Sequence, residues 1–191
     1  MRLQKRQTRA SDGVAALVSL EDMKLVLLEY NSDRDDTITA LIASCTADLQ
    51  NKLGFYIDTT GFITQYYDDF YSRMHIFHRF IKSETTDLSI QYINSAGDWT
   101  TIATTVYRID PSSNPPSVIL RADQEWPTPI DEPSCIRINF KIDTTHPAMN
   151  SFKQAIKEMV AEAYENPEGS WHSAVMESAV TRVISSYRIL S

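Results

Sequence analysis

Only five glycines occur in 191 residues, and none sits in a loop able to cradle phosphate, which removes the nucleotide-binding loops from consideration. Cysteine is equally scarce. Cys45 and Cys135 stand far apart, with neither metal-ligand spacing nor a redox motif, and read as two buried free thiols. No stretch approaches the roughly 18 apolar residues that a membrane span requires. Met1 to Arg9 is basic and polar and lacks the apolar run of a secretory signal. Positive charge is also short: 18 Lys and Arg face 25 Asp and Glu, for a formal net charge of -7. Proteins that grip nucleic acid through phosphate show the opposite balance. An acidic protein can still surround DNA, repelling its backbone so that it does not stick.

What is present is an ordinary soluble composition, 42% hydrophobic and 23% charged, on a chain long enough for one domain with a large insertion. Residues 1–18 carry Arg2, Lys5, Arg6 and Arg9 against Asp12 alone and read as a flexible basic arm. Ser19 suits a helix N-cap, with Asp22 three residues on. Leu20, Met23 and Leu27, with Leu28 beside them, mark the face of a helix that should run to Asn31-Ser32. After that polar break, Asp35 or Asp36 should cap a second helix. Ile38, Leu41, Ile42, Cys45, Leu49 and Leu53 follow at helical spacing, and Gly54 stands where a terminating glycine belongs. Residues 19–54 thus read as a helical hairpin.

From 55 to 145 the pattern is β-rich. Strand pieces are expected at Phe62–Thr64, Met74–Phe77, Leu88–Tyr92, Trp99–Ile102, Val106–Ile109 and Val118–Leu120, with a hairpin loop at Asn94–Asp98. Ile136 to Ile142 alternates over seven residues, the clearest strand signal in the chain. Residues 146–191 return to helix. One opens near Pro147 with Phe152, Ala155, Ile156, Met159, Val160 and Ala163 on its face, and one runs from about Trp171 towards Tyr187. The expected fold is α+β: a small bundle of about four helices with a β-rich insertion between helices 2 and 3, residues 19–191 forming one domain.

No constellation carries chemistry. Asp33, Asp35 and Asp36 resemble the start of a calcium loop, but Ile38 and Ser44 stand where glycine and glutamate are required. His75 and His78 read as surface or satisfied histidines, and neither His146 nor His172 has a ligand cluster around it. Gly169-Ser170-Trp171-His172 is not a nucleophile elbow. Asp68 and Asp69 are adjacent and would diverge on a strand. No catalytic, cofactor-binding or metal-binding residue is assigned, and no cofactor. The aromatics Tyr66, Tyr67, Phe70 and Tyr71 could stack bases, but Asp68 and Asp69 lie between them and few basic residues are near, so they read first as core or subunit-interface aromatics; a single-stranded nucleic-acid-binding module is the alternative reading. A small hydrolase is a third.

The order of motifs resembles the head–tail connector (adaptor) proteins of tailed phages, the class that docks beneath the portal ring in siphophages and gene transfer agents. The family's leucine-glutamate-x-x-lysine helix corresponds to Leu20-Glu21-Asp22-Met23-Lys24. Its acidic loop is Asp33–Asp36, and its next helix is Ile38–Gly54. A glycine-containing hairpin follows at Tyr92–Gly97, a tyrosine-centred strand at Val106–Ile109, and a tryptophan-proline pair at Trp126-Pro127. The proline-led helix ends in Ala163-Tyr164-Glu165-Asn166, and the last closes on Ser186-Tyr187-Arg188. The likeness spans about residues 19–190. It departs where Pro167 replaces a frequent arginine, and in the aromatic richness of residues 61–82.

The resemblance implies a structural, non-enzymatic virion protein at the head–tail interface, assembled in the bacterial host cytoplasm. It implies a homo-oligomeric ring following a twelve-fold portal. The ring would bind portal protein on one side and a stopper or tail-completion protein on the other. Genomic DNA would pass through its channel without specific binding. The chain's end stays apolar at Tyr187, Ile189 and Leu190, where a terminus is normally polar unless a partner holds it. Tyrosine and arginine are favoured interface anchors. Ile184, Tyr187, Arg188, Ile189 and Leu190 are therefore the expected portal-docking residues, with folding back onto the subunit as the competing reading. No membrane contact is expected.

Overall fold

The computed structural model describes residues 7–9, 16–57, 61–82, 87–167 and 174–187. It divides into two compact units, one holding the described residues between 59 and 143 together with 7–9, the other those of 15–58 and 144–187. Four helices, α1 (Leu20–Leu27), α2 (Asp35–Leu53), α3 (Ala148–Glu165) and α4 (Ala174–Tyr187), lie in the second unit. The first holds eight strands: β1 (Gln7–Arg9), β2 (Ile63–Tyr67), β3 (Arg73–His75), β4 (Leu88–Ile93), β5 (Trp99–Thr101), β6 (Tyr107–Asp110), β7 (Ser117–Leu120) and β8 (Ile136–Phe140). The fold is α+β with a β-rich region between helices 2 and 3, as the residue pattern predicts.

In the helical unit, Ser19 caps α1 as expected. Its Oγ accepts the Asp22 amide at 3.0 Å, satisfying one of the helix's unpaired donors. The helix stops earlier than Asn31-Ser32, because Leu28 turns left-handed (φ 55°) and its amide closes on the Lys24 carbonyl. Neither Asp35 nor Asp36 caps α2. Arg34 holds that position without a side-chain bond, and both acids stand in the first turn, where they still meet the positive end of the helix. Asp35 is already the first helical residue, and Lys24 Nζ holds its carboxylate at 2.6 Å. At the other end Gly54 adopts φ 79° and its amide donates to the Gln50 carbonyl at 2.8 Å, a conformation glycine takes without penalty.

Residues three and four apart build the core. Ile38, Ile42, Cys45, Leu49 and Leu53 from α2 are buried, as are Phe152, Ala155, Ile156, Met159 and Val160 from α3 and Val180 and Val183 from α4. Leu41, expected on the same face as Ile42, is only half-buried, since adjacent helical residues point about 100° apart. Ala163 is also half-buried, near the end of α3. Leu28, expected beside the inward face of α1, is instead exposed, and only Met23 of that helix is fully buried. The α3 helix packs against the other three helices.

In the other unit the order β1-β2-β8-β4-β5 forms one sheet and β3-β7-β6 a second, every neighbouring pair antiparallel. The strand β1 lies inside the segment that reads as an arm; it pairs with the β2 edge from Gln7 opposite Gln65 to Arg9 opposite Ile63. The alternation of β8 fixes its register. Ile136, Ile138 and Phe140 are buried, and Arg137 and Asn139 face the other side, between β2 and β4. The hairpin from β4 to β5 turns on Asn94, whose Oδ1 accepts the amides of Ala96 (2.9 Å) and Asp98 (3.1 Å), with Gly97 at φ 87°. Gln65 is fully buried and cannot be left unpaired. Its Nε2 donates to the His75 carbonyl at 2.9 Å and its Oε1 accepts the Phe77 amide at 3.0 Å, tying β2 to the chain around β3.

Candidate functional site

Of the five expected docking residues, Ile184 and Tyr187 are described; Arg188, Ile189 and Leu190 lie outside the described residues. Ile184 is half-buried. The Tyr187 ring meets Phe152 edge-on, centroids 5.2 Å apart, while Val183 is buried beneath the same turn. Tyr187, Val183, Ser186 and Arg182 of α4 face Asn150 and Gln154 of α3 across an open groove of about 330 Å³. Arg182 Nη2 is engaged by Glu158 at 2.8 Å.

The motif residues converge elsewhere in the helical unit. Lys24 Nζ donates to the Asn31 carbonyl and to Asp35, both at 2.6 Å, closing the α1–α2 loop onto the start of α2. Tyr164, near the end of α3, donates its hydroxyl to Glu29 and accepts from Arg34 Nη1 at 2.9 Å. The Arg34 guanidinium lies 5.4 Å from the Tyr164 ring centroid. The bond to Glu29 pushes the phenol's pKa up, because a tyrosinate could not donate it; Arg34 opposes that shift. Tyr164 thus ties the end of α3 to the α1–α2 loop through Glu29 and Arg34, beside the Lys24–Asp35 pair that closes the same loop.

Most of the remaining candidates have structural work; His75, expected on the surface or satisfied, instead keeps a buried Nδ1 without a hydrogen-bond partner among the described residues. Tyr67 is buried and donates to the His75 carbonyl at 2.6 Å, and burial raises its pKa, so it cannot stack a base. Phe70 is stacked on Trp126 at 4.8 Å. Asp68 accepts the Ser134 amide at 2.8 Å, and Asp69 accepts the Phe70 amide at 2.7 Å. His78 is the satisfied histidine of its expected pair of readings: it is buried and its Nδ1 accepts the Phe80 amide at 3.1 Å. His146 Nδ1 accepts the Ala148 amide at 3.1 Å, at the start of α3. The stretch Gly169 to His172 lies outside the described residues. Cys45 and Cys135 are free and buried, and burial raises both thiols, Cys45 to about 11. Among the described residues no group of His, Cys, Asp and Glu could hold a metal ion, and no helix is long and apolar enough to cross a membrane.

Two surfaces escaped the residue-by-residue reading. On the outward face of the five-stranded sheet, Arg137 Nε donates to Gln91 Oε1 at 2.7 Å, and its guanidinium lies 4.1 Å from the Trp99 ring centroid. Neither Nη nitrogen has a partner among the described residues. Lys141 sits 4.9 Å from the Phe62 ring centroid and pairs with Asp87 at 3.1 Å. The alternation of Ile136 to Ile142 already set Arg137, Asn139 and Lys141 on one face; the aromatic partners of Arg137 and Lys141 came from β5 and from the residue before β2. The second surface is α1 and the turn after it, where Leu25, Val26, Leu28 and Tyr30 are 69%, 46%, 69% and 83% exposed.

No family model matches the chain, and no curated protein matches it in sequence. Solved structures do match. A chain in the neck of an empty gene transfer agent particle, computed with C6 symmetry, superposes with a TM-score of 0.73 at 12% identity, covering 97% of this chain and 96% of that one. A chain from the virion of a native gene transfer agent particle superposes at 0.70 and 14% identity, with the same coverage. The shared fold therefore runs through both units at identities where sequence comparison alone is silent.

Proposed function

We propose that the chain is a structural subunit of a phage-like particle, a head–tail connector (adaptor) that forms a ring between the portal and the stopper or tail. One observation carries this: the likeness to gene transfer agent neck and virion chains spans 97% of its length. The clamp of Lys24, Glu29, Arg34, Asp35 and Tyr164 supports it, since the motifs on which the family resemblance rests turn out to hold one another. In this reading the ring carries twelve copies, follows the portal's symmetry and extends the DNA channel. Its excess of acid keeps DNA from adhering in transit. The subunit acts by position and performs no chemistry. The chain's end, from Ile184 through Tyr187, Arg188, Ile189 and Leu190, docks on the portal.

The test is to mix the purified chain with rings of the portal protein from the same particle and to weigh the product. A discrete mass increase equal to a whole ring of subunits is expected. Portal rings that sediment unchanged, beside a chain that binds single-stranded DNA with a steep salt dependence, would replace this reading with the nucleic-acid-binding one.

A further inference from the structure

We infer that the outward face of α1 on one copy seats against the outward sheet face around Arg137 and Trp99 of a second copy, a head-to-tail contact between identical chains. The inference rests on the ring reading above and names the surfaces that would make it.

The α1 face is unusual in its own unit. Scattered exposed apolar side chains are normal, but Leu25, Val26, Leu28 and Tyr30 fall within six consecutive residues. Leu28 also stands in the left-handed region at φ 55°, a conformation that penalises any residue with a Cβ. Glycine would hold that turn without strain, and at 69% exposure the leucine gains no burial within its own chain to offset it. A partner that covers the side chain supplies the missing gain. Glu21 and Asp22, both exposed, stand one helical turn before Leu25 and Val26, so the patch is rimmed with acid.

The sheet face has the complementary chemistry. Arg137 is held by Gln91 on one side and Trp99 on the other, which leaves its two Nη nitrogens as a fixed fork suited to a carboxylate. Trp99 and Phe62, 36% and 37% exposed, provide apolar area beside Arg137 and Lys141. In a chain of net charge -7, this basic, aromatic surface is matched by the acidic, aliphatic one on α1. Arginine and aromatic residues are the types enriched at the centres of interfaces. Because the two surfaces differ, each copy that uses one still offers the other, and such heterologous contacts propagate into rings when the rotation closes.

Charge reversal tests the contact. Arg137→Glu spoils the sheet face, and Glu21→Arg with Asp22→Arg spoils the α1 face. Trp99→Ala on the edge strand β5 is a second probe of the sheet face should Arg137→Glu alter the melting curve. Copies gathered on portal rings, or self-assembled without them, are counted by mass. Each variant alone should assemble at least tenfold less well than the parent. An equimolar mixture of the two charge variants should recover assembly, because each spoiled face meets its reversed counterpart. Variants that assemble like the parent, or a mixture no better than its components, overturn the contact and leave the ring reading standing. A parent chain that forms no multimer with or without portal rings overturns the ring reading, and this contact with it. An Arg137→Glu protein that assembles fully but loses duplex DNA binding shown by the parent assigns the fork to phosphate and also overturns the contact.

Discussion

Phe152 and Tyr187 decide whether the last described turn of α4 belongs to the fold or to a partner. Phe152 is fully buried, and its ring meets Phe55 at 6.2 Å and Tyr187 at 5.2 Å, both edge-on. Replacing it with alanine removes an aromatic ring from a packed core, a change worth about 3–5 kcal/mol. That is a large share of a typical domain stability of about 5–15 kcal/mol. For a chain of this size it lowers the melting temperature by roughly 6–20 °C. Tyr187→Ala costs less, about 0.5–3 kcal/mol, because its ring is only half-buried. The informative quantity is their coupling. An edge-on aromatic pair is worth about 0.5–1.5 kcal/mol beyond the area it buries, and a double-mutant cycle isolates that part. The cycle is read by urea unfolding under far-UV circular dichroism, whose helical signal comes from the unit that holds all four described helices. A coupling of roughly 1 kcal/mol is expected. A value indistinguishable from zero, with helical content intact in all four proteins, would mean that Tyr187 does not lie on Phe152. If Tyr187→Ala then abolished portal binding without loss of stability, Tyr187 would serve docking alone and not also the fold.

Ending the chain after Tyr187 should leave the melting temperature within a few degrees of the parent but abolish co-sedimentation with portal rings; parental binding by the shortened chain would remove the tail from the docking role. Tyr164→Phe deletes the hydroxyl between Glu29 and Arg34 and should lower the urea midpoint of the helical unit; an unchanged midpoint would refute the clamp. Burial raises the Cys45 thiol from its ordinary 9.0 to about 11, so its contribution to stability is fully present below pH 9 and is lost as pH rises from 9 to about 11. Cys45→Ala should lack that part of the alkaline decline, and equal declines in parent and variant across this window would contradict the assignment.

The helices and strands were legible because each is specified within a few residues. Ser19 before an apolar face, Gly54 after one, and the alternation from Ile136 to Ile142 are local signals, and each element appears where they place it. Errors cluster where a distant partner decides. Asp35 looked like a cap and is held by Lys24, eleven residues earlier. Leu28 matched the apolar period of α1, yet its own left-handed backbone carries it off the helix into solvent. His78 gave no sign of burial, because the rings of Phe80 and Phe140 that enclose it come together only in the folded unit. Tyr67, by contrast, is the core aromatic expected of it, since its period-two partners Ile63 and Gln65 turn it inward.

The interaction surfaces were less legible for a different reason. A catalytic site announces itself by rare residues at fixed spacing, since bond-making needs particular atoms within hydrogen-bond reach. An assembly surface is built from common residues, and its signature is a side chain whose position its own chain does not reward. Leu28 is such a residue: strained, apolar and exposed at once. Arg137 is another, fixed by Gln91 and Trp99 with its fork aimed at nothing in the described chain. Neither condition can be read from residue type or spacing, because both require knowing what the fold leaves uncovered. The resemblance motifs show the converse. Lys24, Asp35 and Tyr164 hold the helical unit together and contribute no surface to a partner by that role. A variant such as Tyr164→Phe should accordingly lower the melting temperature and leave binding per folded subunit unchanged, whereas Arg137→Glu should leave melting unchanged and lower assembly. If the two variants exchanged those phenotypes, the division between clamp and contact surface would be wrong.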